Sequence, residues 1–330
     1  MPIINKITES AFYKKNIHMF REALKRFMTS LFIFLIMLGV TYVIMSPVLR
    51  IVMNAIRHEA DLSNSKVFLI PGQFTFQNFQ LAFDFMRYPE ILFFTMWFCL
   101  LITFFQLLIC SLAGYGFARF RFPGRVLLFA GVVATIIIPV QVFLTPLYMQ
   151  LRFFDVLGII KLITGDTLNL HRTLWPVILT SATGMGIRSG LYVFIFRQFF
   201  RQLPKELEEA ALIDGAGAAR TFFTVMLPNA SPALITVGLF SLVWQYNDTF
   251  FVNMFMSGNV FMSTMMVNLP GVIQNATFLQ NGGWVGSPSN QFIYLIINAG
   301  VIIGMAPILI TYFVLQRYFM EGIERSGIVG

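Results

Sequence analysis

ILFFTMWFCLLITFFQLLICSLAGYGFA, residues 91–118, holds 28 positions without one charged side chain and is fenced by Glu90 and Arg119. A helix needs roughly 20 apolar residues to cross a bilayer. It also satisfies its own backbone there, which an open strand does not. The stretch therefore reads as a transmembrane helix. Three similar windows lie around it: 27–49 with 23 uncharged residues, 126–151 with 26 and 221–247 with 27. A further window runs for 68 residues from Thr249 to Gln316. Its middle, 257–290, is rich in Gly, Asn, Ser and Gln and reads as an uncharged external loop, whereas 291–316 reads as another span. Thr173–Phe196 is also apolar but contains Arg188, so it reads as a span carrying one functional or buried charge.

The expectation is an all-α integral membrane protein with six transmembrane helices, at 28–52, 91–118, 126–150, 173–197, 229–255 and 291–316. Composition agrees. Of 330 residues, 57% are hydrophobic, 38 are Phe and only 12% are charged, against roughly 25% charged in an ordinary globular chain. That much apolar surface excludes a cytosolic enzyme, a disordered chain and a small disulfide-stapled domain. Lys and Arg set the orientation. With both termini cytoplasmic, 15 fall on inner segments and 7 on outer ones, as the positive-inside rule requires. The same loops account for the net charge of +8 without a nucleic-acid partner. The first apolar run is too long for a cleaved signal and reads as a retained span. Residues 1–27 form a cytoplasmic N-terminal segment, and 28–330 form the transmembrane domain. Phe12, Phe20, Leu24 and Phe27 recur at helical spacing. That suits either a helix on the inner membrane face or a plain polar tail.

Little in the chain points to catalysis. Cys99 and Cys110 share one apolar stretch, about 16 Å apart along a helix, and cannot bond to each other. There is no G-x-x-x-x-G-K-[ST] phosphate loop, and Leu62 stands where a zinc-protease motif beginning at His58 would need its second His. His18, His58 and His171 are scattered. No enzyme activity, cofactor or metal site is expected.

The segment QFFRQLPKELEEAALIDGAGAARTFFTVMLP, 198–228, is too patterned for a plain connection. Pro204 suits the first turn of a helix. Glu206, Glu208 and Glu209 oppose the positive helix end. Leu207, Ala210 and Ala211 make an apolar stripe, and Asp214-Gly215 ends it with a residue able to turn left-handed. A second amphipathic piece, Ala218–Met226, leads to Leu227-Pro228. A helix packed on its own protein and a docking helix for a soluble partner both fit this pattern.

The residues resemble a known family, the permeases of ABC importers. Their cytoplasmic loop carries E-A-A-x3-G-x9-[IV]-x-L-P, matched here by Glu209, Ala210, Ala211, Gly215, Val225, Leu227 and Pro228 at every spacing. Asp214 and Ala216 match the sugar-transporting branch. GYGFARFRFPGR at 114–125, PLYMQLRFFDVLG at 146–158, Arg197-Gln198-Phe199-Phe200 and Gln316-Arg317-Tyr318-Phe319 with Gly322 are similar to further family segments. Tyr246-Asn247-Asp248-Thr249 stands where the family has W-N-D-F.

The resemblance implies a type I ABC importer permease fold and a multi-pass protein of a prokaryotic plasma membrane. It implies import of a sugar or oligosaccharide delivered by an extracytoplasmic solute-binding protein. The implied partners are ABC ATPase subunits, which hydrolyse the ATP, a second permease that is usually a different chain, and membrane lipid. Glu208, Glu209, Ala210, Ala211, Asp214, Gly215, Leu227 and Pro228 would form the ATPase-docking loop. Arg188, Trp244, Tyr246, Asn247 and Asp248 are candidates for the solute pathway or gate. For Arg188 a structural pairing with Asp248 is the alternative, and for the residues on the fifth span it is ordinary helix packing. A secondary transporter would need repeated halves or acidic residues within the spans, and a membrane enzyme would need clustered His, Asp or Cys. Neither pattern is present.

Overall fold

The structure, a computed structural model, describes the backbone of residues 2–63, 70–257, 260–280 and 289–325, with side chains described from 19 to 62, 70 to 257, 260 to 276 and 289 to 317. It comprises two compact units, 1–76 and 77–330. The described residues are helical, with two isolated β-bridges and no strand longer than that.

The first unit is α1, Pro2–Ala55, and the loop after it. The basic N-terminal stretch and the first apolar span lie on one continuous helix. Nearly all its described side chains from Met19 to Leu49 are exposed, as suits an apolar helix meant for lipid. Its loop is closed by a bridge between Arg57 and Phe74. The Asp61 carboxylate accepts the Gly72 and Gln73 amides at 2.8 and 3.0 Å.

The second unit begins with α2, Gln77–Phe85, and α3, Tyr88–Arg119, the stretch quoted first above. The third expected span is broken: α4, Arg125–Ile137, and α5, Gln141–Arg152, meet at 105°. Pro139 is the cause. It lacks an N–H and forces Ile138 out of the helical region, to φ −74°, ψ 125°. A short helix α6, Ile159–Thr164, follows.

The fourth expected span, 173–197, is also two helices, α7, Trp175–Ala182, and α8, Ser189–Gln202. Between them Gly184 and Arg188 are left-handed, at φ +75° and +61°. Non-helical backbone at membrane depth survives only where other groups satisfy it. Here the Met185 amide reaches back to Thr180 O at 2.8 Å, and Gln106 Nε2 donates to Ile187 O at 3.0 Å. α8 packs along α3, with Gly114 at the closest approach. A Cβ there would lie 2.5 Å from that of Phe196 and 3.0 Å from the Arg197 nitrogen.

The loop at 198–228 holds α9, Glu206–Ile213, then α10, Ala218–Thr221, a π-turn at Phe222–Met226 and α11, Leu227–Asn229. α12, Ser231–Asn247, and α13, Phe250–Phe255, make up the fifth expected span. The reading of 257–290 as a plain external loop is corrected. Met262–Gln280 is a 19-residue helix, α14. Phe261, Met262, Met265, Leu269 and Ile273 recur at helical spacing and are buried against its neighbours. The Asn and Gln content of the stretch concealed that stripe.

The last helix, α15, runs Asn290–Arg325 with Pro307 inside. Pro307 cannot donate to Ile303 O, four residues back. The Tyr88 hydroxyl supplies the missing bond at 2.9 Å, and the Tyr246 hydroxyl donates to Gly304 O beside it. Among the described residues, Met19–Ala55, Tyr88–Arg119 and Asn290–Arg317 are each long and apolar enough to cross a membrane. Up to five spans result if α4 with α5, and Ala218–Asn229 with α12, each count as one.

Candidate functional site

Two places collect the residues singled out by the sequence. The first is the loop from α8 to α12. Its floor is apolar: Tyr115 of α3, Phe200 of α8 and Phe222 of the π-turn are buried together, with ring centroids 5.1 to 6.2 Å apart. On this floor α9 divides into two faces. Ala211 is buried, Leu207 is half-buried, and Glu208 points inward with its side chain 17% exposed. Glu206, Glu209, Ala210, Leu212 and Ile213 face outward, and Ile213 is 86% exposed.

The turn after α9 is a complete Schellman cap. Ala216 N–H bonds to Ala211 O at 2.9 Å and Gly215 N–H to Leu212 O at 3.0 Å, with Gly215 at φ +78°. Asp214 and Gly215 are exposed at its apex, Leu227 is half-buried and Pro228 is exposed at the base of the next helix. Glu208 lies 3.6 Å from Arg119 Nε. Arg119 Nη2 also donates to Leu203 O at 2.6 Å.

The second place is the break before α8. Arg188 is exposed, and its guanidinium carbon sits 3.3 Å from the centre of the Trp244 ring. Trp244 and Asn247 are both exposed and one turn apart on α12. Among the described residues no carboxylate pairs with Arg188. Asp248 is occupied elsewhere. Its Oδ1 accepts the Phe250 and Phe251 amides at 3.0 and 3.1 Å at the start of α13, and its carbonyl accepts from Ser263 Oγ at 2.8 Å. Tyr246 is buried, with its hydroxyl committed to α15. The structure thus joins Arg188 to Trp244 and sets Tyr246 and Asp248 into the packing.

A buried polar chain beside this break was missed at the sequence level. Gln106 spends its amide nitrogen on Ile187 O, so its oxygen accepts from Ser241 Oγ at 2.5 Å, and Ser241 in turn accepts from Thr103 Oγ1 at 3.0 Å. The signal was available, since Gln106 is the one amide in the 91–118 stretch. An unpartnered amide in lipid is costly.

Comparison with known proteins identifies the family. Residues 106–325 match the family described as binding-protein-dependent transport system inner membrane component. The chain belongs to that family. It is a multi-pass inner-membrane permease of the ABC transporter class rather than a catalytic enzyme. It is 30% identical over 220 residues, 67% of its length, to the osmoprotective compounds uptake permease GgtD of Synechocystis sp., of which the match spans 63%. It is 29% identical to the arabinooligosaccharides transport system permease AraQ of Halalkalibacterium halodurans, over 88% of this chain and 93% of that one. It is 27% identical to the maltodextrin transport system permease MdxG of Bacillus subtilis, over 91% and 95%. Among solved structures it is similar to a bacterial ABC transporter involved in import of the acidic polysaccharide alginate. The TM-score is 0.62 at 19% identity, covering 87% of this chain and 95% of that one. The fold is accordingly type I permease-like.

Proposed function

We propose that this chain is one permease subunit of an importer for a sugar or oligosaccharide. An extracytoplasmic binding protein delivers the solute, a second permease completes the pathway, and separate ATPase subunits supply the energy. The observation that carries the reading is the outward face of α9 with its Schellman turn. Glu209, Ala210, Asp214 and Gly215 are presented beside bare Leu212 and Ile213, a shape made to enter a groove. The sugar cargo follows the arabinooligosaccharides and maltodextrin for which AraQ and MdxG are named.

On this reading the chain crosses the membrane six times. α4 with α5, and α7 with α8, each serve as one broken span. Both termini, residues 1–27 and the loop at 198–228 are cytoplasmic. ATP-driven closure of the ATPases moves α9, and the permease core responds as a two-state element biased by nucleotide. At the break before α8, the Arg188 guanidinium stacked on Trp244, with Asn247 one turn further along α12, offers exposed hydrogen-bond donors beside an aromatic ring, which suits a polyhydroxylated solute. Tyr246 and Asp248 hold that corner of the pathway in place.

Affinity purification of the tagged protein from its native membrane tests the proposal, alongside Gly215→Pro. Proline cannot take φ +78° and would remove the Gly215 N–H from the cap. An ATPase and a second permease are expected with the wild type, and the ATPase is expected to be lost from the variant. Recovery of the chain alone, with uptake indifferent to ATP, would refute it.

A further inference from the structure

Glu208 is the first acid of the E-E-A-A run, yet the fold turns its side chain inward, toward α3. Its side chain and that of Arg119 are 17% and 8% exposed, and Arg119 Nε stands 3.6 Å from its Oε2. The same guanidinium donates to Leu203 O at 2.6 Å, where α8 ends. One cation at the last turn of α3 therefore holds both the exit from α8 and the first turns of α9. Tyr115, one turn earlier on α3, faces the same carboxylate, its ring wedged between Phe200 and Phe222. Neither Glu208 Oε1 nor Arg119 Nε makes a hydrogen bond, so the two side chains act on each other as charges across 3.6 Å.

Packing alone does not call for charges here. A buried ion pair can usually be exchanged for apolar residues without loss of stability, and its best-attested use is to fix a register. An apolar floor of Tyr115, Phe200 and Phe222 would let α9 slide. A charge pair gives it one seat on α3.

We infer that Glu208 is a positioning residue for energy coupling. Its pair with Arg119 fastens the docking helix to α3, so that displacement of α9 is passed to the membrane helices. Glu209 and Asp214, on the outer face, make the contact with the ATPase. The inference rests on the importer reading above.

The test uses the assembled transporter in lipid vesicles, with solute taken up per ATP hydrolysed as the readout and retention of the ATPase scored beside it. The variants are Glu208→Gln, the exchange Arg119→Glu with Glu208→Arg, and the apolar pair Arg119→Met with Glu208→Met. Glu208→Gln is expected to keep its ATPase and to lose about tenfold in solute per ATP, a shift of about 1.4 kcal/mol in coupling. The exchanged pair is expected to regain about a third of the wild-type ratio or more, and the apolar pair is expected to insert and assemble but stay uncoupled.

Three results would overturn the inference. Glu208→Gln sheds the ATPase as Gly215→Pro does, making Glu208 a docking contact. Its ratio stays within about twofold of wild type. Or the apolar pair couples as well as the exchanged one. If Glu208→Gln never reaches the membrane, Glu208→Asp decides, because it keeps the charge and leaves the Arg119 donation to Leu203 O in place, and its failure to restore both protein and ratio counts against the inference. A wild-type complex without any ATPase would instead defeat the importer reading.

Discussion

At Arg188 the backbone is left-handed and the side chain lies on Trp244. Such a conformation costs a non-glycine residue about 1–3 kcal/mol, and a cation–π contact returns about 0.5–2 kcal/mol. Stability alone is a poor reason for the arrangement. Arg188→Asn separates the two effects, because Asn tolerates left-handed backbone but carries no charge. The expected outcome is an unchanged amount of protein in the membrane and a KM for solute uptake raised about tenfold. A KM equal to wild type would remove the pair from the pathway. The charge of Arg188 was plain in the sequence, whereas its partner was not. Asp248 was the candidate by charge, but its carboxylate is used up by the Phe250 and Phe251 amides. Trp244, one turn earlier on α12, takes the guanidinium instead. The docking signature likewise named Glu208 without giving its direction, because a motif fixes spacing and the floor beneath it fixes which side faces in.

Among the elements, α15 depends on a bond that no helix makes for itself. Pro307 leaves Ile303 O without its usual donor, and Tyr88 of α3 provides one. Tyr88→Phe should strand that carbonyl at a cost of about 1–3 kcal/mol. The purified protein is expected to unfold several degrees earlier in a thermal scan. An unchanged Tm would mean that the carbonyl finds another donor. Long apolar elements such as α3 and α15 were legible because absence of charge over 20 or more residues has few other causes. The break between α4 and α5 was legible in principle from Pro139 alone. The break between α7 and α8 was not, because nothing in T-G-M-G-I-R forbids a helix. It is held open by Gln106, which lies 81 positions away in the chain. α14 was hidden for a different reason: its polar outer residues outweighed the buried stripe of Met262, Met265, Leu269 and Ile273.

For the molecule as a whole, the expected six crossings put Ser10 and Ser326 on the cytoplasmic side and Asp166 outside. Single cysteines at these positions, with Cys99 and Cys110 replaced by Ala, give a direct check. A membrane-impermeant maleimide applied to intact cells should label only the cysteine at 166, and the two terminal ones should react after permeabilisation. Labelling of one terminus alone would mean an odd number of crossings. The π-turn at Phe222–Met226 has a bearing on the same machine. A π-turn spends one residue more than an α-turn, and each helical residue is worth about 100° of rotation. The nine residues between Gly215 and Val225 therefore set an angle as well as a length. Deleting Thr224 would leave a regular and even sounder helix, in a chain that still reaches the membrane. On the importer reading, α9 would then arrive rotated by a quarter turn or more, like a key cut correctly and inserted sideways.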